Sequence, residues 1–448
     1  MEEPKRCLIL AAVPVPEPNT ILYCFNRNTD HGSWAIHPMQ APQIPEQDRM
    51  VLPPAEAIRK FHTEVPLIGD TLGNLLSFPD DVLLYVVAGV RNTPRAPPVN
   101  TRKEWDHLIE ILRRHRIIFL MRSHISTWPE PCRPPREASA RIDRIFFRGA
   151  ARNLLIGQRV QPVFSALQDA GIPVLLIKGQ ALARTIYKDP ALRQSYDVDI
   201  LVQPEHADAC DRVLRALGYS CPVRNFANPQ SEVHHDNYSL PMSGVKIEMH
   251  WTPSYSLKIF PDDWLSGVFA RKIPIRSSDI SCYTLDPMDH LLYLIFHTIV
   301  QHKKIRIDWI CDLAYLMDAL LQVPENWERL RSECAGMHMA VPLQLALTTA
   351  DLWCGVKVPV GSPGFAPALP PSAEDIRIWE ESRKRKRYKD PSLYDSLRKI
   401  PGIRNKLVFL SWSIFPPVER LGKYRYSPSA IDIPLAYLRR WIDLIRSR

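Results

Sequence analysis

Two aspartates held two residues apart in an otherwise aliphatic run, Ser195-Tyr196-Asp197-Val198-Asp199-Ile200-Leu201-Val202, constrain this chain more than any other feature. Tyr196 to Val202 reads as a strand, because branched and aliphatic residues dominate it and Gln203-Pro204 stops it. Alternate residues of a strand share a face, so both carboxylates project to one side while Val198 and Ile200 turn to a core. Like charges held that close are tolerated when a cation or a hydrogen-bonding partner sits between them. Taken alone, two solvent-facing aspartates near a strand end would give the same pattern.

The flanking segments decide against that plainer reading. Upstream, Ile172 to Ile177 reads as a buried strand running into Lys178-Gly179-Gln180, and an amphipathic stretch from Ala181 to Tyr187 reads as a short helix. A strand, a glycine turn and a helix start offer free backbone N–H groups to an anion, and Lys178 adds a positive charge. Downstream, Val245-Lys246-Ile247-Glu248-Met249-His250-Trp251 alternates like a strand and carries one acid, Glu248. Neighbouring strands lie about 4.8 Å apart, within reach of an ion held by the two aspartates. Three carboxylates facing a phosphate cradle suit Mg²⁺ (or Mn²⁺), which takes oxygen ligands and holds substrate phosphates. The chemistry that fits is nucleotidyl transfer.

This arrangement resembles the polymerase-β-like nucleotidyltransferase superfamily. It is more closely similar to a bacterial nucleotidyltransferase family whose core reads Lys-Gly, then Tyr, Arg and Asp-x-Asp, then a Glu-x-His-Trp strand. Those positions are Lys178-Gly179, Tyr187, Arg193, Asp197 with Asp199, and Glu248 with His250-Trp251. The resemblance extends from about Trp105 to near the C-terminus and is strongest between Ile172 and Asp312. One departure from the wider superfamily is that Lys178-Gly179-Gln180 replaces the usual Gly-Ser pair. The resemblance implies an α+β fold: a small mixed-sheet core with flanking helices and a C-terminal helical bundle, with the nucleotide between core and bundle. It also implies that a His, Arg and Asp set in the helical part, His297, Arg306 and Asp312, lines the pocket.

With 448 residues the chain has room for two or three domains. Breaks in the pattern suggest a small domain of unassigned role at 1–98, closed by the linker-like Pro94 to Pro98. A nucleotidyltransferase core with leading helices follows at 103–285, then a helical bundle at 286–356 and a basic helical tail at 372–448. Helices are expected over Ala55 to His62, Pro79 to Val90, Lys103 to Ser126, Ser139 to Ala170 with a bend near Pro162, and His206 to Leu217. A hairpin is expected to turn at Met242-Ser243-Gly244. In the bundle, Asp286-Pro287 opens one helix, and Ile305 to Leu321, Glu325 to Cys334 and Val341 to Trp353 form three more.

The formal charge of +9 belongs to the tail: Pro371 to Arg448 holds 18 Lys and Arg against 9 Asp and Glu, while the rest is balanced. Such a tail, with Trp379, Trp412, Phe415 and Trp441 interspersed, suits nucleic acid, a membrane surface or an acidic partner. The apolar, helix-like settings of Trp412, Phe415 and Trp441 favour packing instead, so nucleic acid is not the favoured partner. The nine cysteines are scattered with no Cys-x-x-Cys pair, which argues against a disulfide framework or a zinc site and fits a reducing cytoplasm. The longest apolar runs, Val82 to Val90 and Leu291 to Val300, are too short to span a bilayer. No GxxxxGK[ST] or GxGxxG loop is present, which excludes P-loop and Rossmann readings.

The resulting expectation is an enzyme that moves a nucleoside monophosphate from a nucleoside triphosphate, ATP first among candidates, to a small-molecule, peptide or protein acceptor. Asp197, Asp199 and Glu248 are the expected catalytic and metal-binding acids, with Lys178, Gly179, Gln180 and Arg193 on the nucleotide. Tyr187, His235, His250, His297, Arg306 and Asp312 form a second rank around the pocket. A metal site of His297, His302 and Asp308 is a weaker possibility, because its spacing is not compact. The alternative is a non-catalytic nucleotide- or partner-binding protein on the same fold, associated with a biosynthetic enzyme.

Overall fold

The computed structural model describes residues 78–99, 101–222, 224–226, 234–240, 244–253, 259–277, 279–302 and 305–384, with 7–9, 21–27, 34–40, 53, 55–64, 76, 434–439 and 441. Near the N-terminus β1 (Cys7–Ile9), β2 (Ile21–Arg27) and β3 (Trp34–Gln40) pair antiparallel in sequence order. The central sheet has six strands: β4 (Val174–Ile177), β5 (Val198–Val202), β6 (His235–Ser239), β7 (Lys246–His250), β8 (Ile273–Arg276) and β9 (Ser281–Thr284). Their order is β6-β7-β5-β4-β9-β8. It is a mixed sheet, with β5 parallel to β7, β4 parallel to β9, and the other pairs antiparallel.

Alternation along the strands divides the molecule into two apolar layers. Val198, Ile200 and Val202 of β5, Leu176 of β4, and Ile247 and Met249 of β7 face one side. There they pack on Val160, Val163, Phe164 and Leu167 of the long helix Arg136–Asp169 and on Leu214 of the helix Ala207–Ala216. Leu175, Ile177 and Leu201 face the other way and join the larger cluster built by the helices. Asp199, Glu248 and His250 alternate onto this second side.

That larger cluster draws on helices from both ends of the described chain. Pro287–Ile295, Ile307–Leu320, Pro324–Gly336 and Ala340–Cys354 contribute, as do Ala55–Glu64, Asp80–Arg91, Arg102–Arg114 and Ile118–Ile125. Phe119, Phe296 and Ile58 are fully buried in it, each worth about 1.5–3 kcal/mol of apolar transfer. The segment before residue 98 is tied to the bundle directly. Trp353 Nε1 donates to His62 Nε2 at 2.7 Å, and the Arg91 guanidinium donates to the Leu352 carbonyl at 3.0 Å.

Four sequence expectations shift. The strand starts at Val198, so Asp197 sits on the approach to it. The expected single helix from Lys103 to Ser126 is two, Arg102–Arg114 and Ile118–Ile125, broken where Arg116 takes a left-handed φ of 56°. Pro162 lies inside one continuous helix, Arg136–Asp169. The hairpin β8–β9 and the helix Trp264–Ala270 were not anticipated, because Pro274 and the run Ser281-Cys282-Tyr283-Thr284 carry no apolar alternation. Pro274 is tolerated because β8 is an edge strand.

The tail begins with the helix Ala373–Lys384, whose Trp379 is buried in the larger cluster. Trp412, Phe415 and most of the basic run lie outside the described residues, as do Met242 and Ser243 of the expected turn. Gly244, at a φ of 68°, is described and uses the left-handed freedom a turn demands. Among the described residues no helix is long and apolar enough to cross a membrane.

Candidate active site

Register brings the acids together. β5 and β7 run parallel with Asp199 opposite Glu248, and on the far side of β7 Asn237 of β6 stands opposite Glu248. A two-residue period on both strands therefore puts Asp199, Glu248 and His250 on the helical side of the sheet. His250 Nε2 lies 3.0 Å from Asp199 Oδ1, and Lys178 Nζ donates to the same oxygen at 2.8 Å. Lys246 Nζ donates to Glu248 Oε1 at 2.6 Å from the half-exposed edge of β7.

Lys178 stands at the junction of β4 and the helix Lys178–Thr185, with a left-handed φ of 55°. For a residue with a Cβ this costs about 1–3 kcal/mol, so its surroundings must hold it. They do so through its amide, which donates to His290 Nε2 at 3.1 Å. His290 is buried in the helix Pro287–Ile295, and burial pulls its pKa down to about 3, so the ring is neutral and able to accept. Burial disfavours the Lys178 ammonium, yet the Asp199 carboxylate outweighs it, and the pKa rises above the ordinary lysine value. Gly179 follows because nothing larger fits: a Cβ there would lie 2.9 Å from Ser195 Oγ.

Arg193 belongs to a different group. Its Nε and Nη2 donate to Asp312 at 2.8 and 2.7 Å, and Nη1 reaches Asp308 at 3.0 Å. The Tyr187 hydroxyl donates to the same Asp312 at 2.8 Å, and Arg306 Nε donates to Asp308 at 2.8 Å. Burial opposes the charge on Arg193, and Asp312 and Asp308 together overcome it, holding its pKa well above the usual value. Burial likewise opposes the Asp308 carboxylate, but Arg306, Arg193 and Arg116 hold its pKa below the usual range.

Between these groups lies a cavity of about 240 Å³. Lys178, Gly179, Asp197, Asp199 and Glu248 line it together with Arg193, Arg306 and Asp312. His297, His302, Trp309 and Arg116 complete it. Asp197 Oδ1 accepts from Ser195 Oγ at 3.1 Å. Arg116 lies over the Tyr196 ring at 4.8 Å, with Arg152 over the same ring at 4.9 Å. His297 enters through a π-helical turn, Phe296–Gln301, which inserts one extra residue and re-aims the side chains.

Most of the residues expected from sequence thus meet at one place. Four do not line the cavity: Gln180, whose side-chain oxygen accepts from Arg184 at 2.6 Å, Tyr187, whose hydroxyl donates to Asp312, and His235 and His250. His235 lies beside His250, with ring centroids 5.0 Å apart. Arg116, Ser195, Leu294 and Trp309 are lining residues that sequence reasoning did not assign. The one signal for Arg116 was a charged His115-Arg116 step inside a helical pattern.

Among the described residues, two groups offer three ligand atoms within 4.8 Å of one another: Asp199 with Glu248 and His250, and His234 with His235 and His250. His297, His302 and Asp308 do not form one, since both Asp308 oxygens are taken by arginines. Two carboxylates in the first group fit a hard divalent cation, and Asp197 faces the same cavity.

No curated protein matches this chain. A solved structure it is similar to is the crystal structure of an antigenic nucleotidyltransferase-like protein from Paracoccidioides brasiliensis, at 15% identity and a TM-score of 0.28. The likeness covers 45% of this chain and 93% of that one. Residues 101–355, more than half of the chain, match the family described as uncharacterised nucleotidyltransferase, and the chain belongs to that family.

Proposed function

We propose that this chain transfers a nucleoside monophosphate from a nucleoside triphosphate, ATP first among candidates, to an acceptor hydroxyl on a small molecule, peptide or protein. The observation that carries this reading is the pairing of Asp199 with Glu248 on adjacent parallel strands, inside a cavity also lined by Lys178, Arg116 and Arg306. Mg²⁺ or Mn²⁺ bound by Asp197, Asp199 and Glu248 would neutralise phosphate charge and make the α-phosphorus a better electrophile. Lys178 meets the β- and γ-phosphates from the start of its helix, where the Gly179 backbone approaches closely because it has no side chain. Glu248 takes the proton of the acceptor hydroxyl as its oxygen bonds to the α-phosphorus. The bond to the β-phosphate oxygen breaks, and pyrophosphate leaves with that electron pair. Asp197 stands before the strand and so approaches the ion from the cavity mouth.

A second reading, a non-catalytic nucleotide-binding protein working beside a biosynthetic enzyme, draws support from Lys178, whose ammonium already balances Asp199. Incubation with α- and γ-labelled ATP, Mg²⁺ and a cell extract separates the two. Transfer of the α label alone is expected; γ-label transfer indicates a kinase, and nucleotide binding without transfer favours the module. Glu248→Gln should keep nucleotide affinity within a few-fold and lower turnover by roughly 10²-fold or more, the scale of losing a general base. Full turnover in that variant removes Glu248 from the role of base.

A further inference from the structure

The second three-residue group lies behind the first and has a different chemistry. His235 of β6 pairs in register with His250 of β7. His234 immediately precedes β6, and its carbonyl accepts the Trp251 N–H at 3.3 Å. The three ring centroids form a near-equilateral triangle with sides of 5.1, 5.2 and 5.0 Å. Each ring offers a nitrogen within 4.8 Å of the others. The Nδ1 atoms of His235 and of the fully buried His250 have no hydrogen-bond partner among the described residues.

We propose that His234, His235 and His250 hold one divalent transition-metal ion of the zinc class, distinct from the ion expected at Asp199 and Glu248. Three imidazoles and no carboxylate favour a borderline metal over Mg²⁺, which prefers oxygen. The polar contacts of His250 are made at Nε2, which lies 3.0 Å from Asp199 Oδ1 and 3.2 Å from Lys178 Nζ. In the tautomer with its hydrogen on Nε2 that N–H donates to the carboxylate, and the Nδ1 lone pair is left for a metal. Carboxylate, histidine and metal in series is how proteins orient a ligating imidazole. Gln301 closes the other side, its amide nitrogen 3.1 Å from His234 Nε2 and its amide oxygen 3.3 Å from His297 Nδ1. The ion is a positioning element: through His250 it holds the Asp199 oxygen that faces the cavity. It also clamps the ends of β6 and β7.

The test needs no nucleotide and does not depend on the transfer reading. Full-length protein stripped with a chelator is titrated with Co²⁺. The expected result is the visible absorption of four-coordinate, nitrogen-bound Co²⁺, saturating at one ion per chain, displaced by Zn²⁺ and indifferent to excess Mg²⁺. His235→Ala and His234→Ala should each weaken Co²⁺ binding by at least the 10–100-fold that losing even an outer partner costs. Glu248→Gln should leave the spectrum unchanged. X-ray absorption on the Zn²⁺-loaded wild-type chain covers the case in which a histidine variant fails to fold. Imidazole nitrogens at about 2.0–2.1 Å are expected. An all-oxygen shell, no visible band, or a band lost in Glu248→Gln but kept in both histidine variants overturns the proposal.

Discussion

Two charged groups line one cavity, and they differ in how completely their partners are used. In the Arg193 group, every guanidinium nitrogen is engaged by Asp312, Asp308 or a carbonyl, Tyr187 and Arg306 occupy the remaining acceptors, and Arg193, Asp308 and Asp312 are at most 3% exposed. In the Lys178 group, one ammonium serves one oxygen of Asp199 and sits 3.2 Å from His250, while among the described residues Glu248 forms its ion pair with the half-exposed Lys246. A closed network has nothing left to offer a ligand and holds elements together: here it ties the approach to β5 to the helix Ile307–Leu320. An open one keeps a cation with hydrogens to spare and free carboxylate oxygens, which is what binding a phosphate and a metal requires. Arg193, expected from sequence to hold phosphate, has its guanidinium engaged by Asp312, Asp308 and the Gln194 carbonyl, whereas Lys178 meets one Asp199 oxygen beside the cavity.

The strongest way to break this comparison is to remove one member from each side. Asp199→Asn should lose nearly all nucleotidyl transfer and cost less stability than a change at Arg193, because it strands one ammonium at the cavity rather than two buried aspartates. Arg193→Met should do the reverse, costing about 3–5 kcal/mol of stability in denaturant titration because it strands two buried aspartates. A stable Arg193→Met variant defective only in nucleotide affinity would reverse the assignment.

A smaller effect sharpens the same contrast. Lys178→Ala removes a charged phosphate contact worth about 1.5–3 kcal/mol, so nucleotide affinity should fall roughly 10- to 150-fold in calorimetry. Because Asp199 also opens to the cavity, where water and metal reach it, folding should suffer less than in Arg193→Met. Unchanged affinity withdraws Lys178 from the nucleotide.

The last effect concerns pH. His62 and His290 are buried, and burial lowers each pKa to about 3 from 6.5. Above pH 6.5 neither the folded nor the unfolded form binds the proton, so they contribute no slope. Between pH 6.5 and about 3 the unfolded chain takes up protons that the folded one refuses, and stability falls as pH falls. Each ring should cost about tenfold in the folding equilibrium per pH unit over that window. His290→Gln should flatten the slope of an acid denaturation series and also loosen the Lys178 amide; an unchanged slope means that His290 titrates normally.

Much of the sheet was legible because its strands alternate. Val198, Ile200, Ile247 and Met249 announce a buried face, and the residues between them, Asp199, Glu248 and His250, fall on the other face by geometry alone. The helices Pro287–Ile295 and Ala340–Cys354 were equally readable, the first from Asp286, whose side chain caps Met288 N–H at 3.0 Å. Arg116 was not legible, since nothing local says that a helix should break there with a left-handed residue. Neither was the strain at Lys178, which His290 sustains from 112 residues away.

From the sequence alone come the period-two pattern that makes β5 and β7 strands and the placement of acids on one of their faces. The identity of the candidate acids comes from the same source. Backbone sterics and side-chain alternation act over a few residues, so a local reading reaches them. Only the tertiary structure decides which charges are spent. The sequence lists Lys178 and Arg193 as equivalent cations, and packing gives Arg193 two buried carboxylates while leaving Lys178 beside the cavity with one. Pairing of that kind depends on which helix is laid against which strand across more than a hundred residues, and no local period records it.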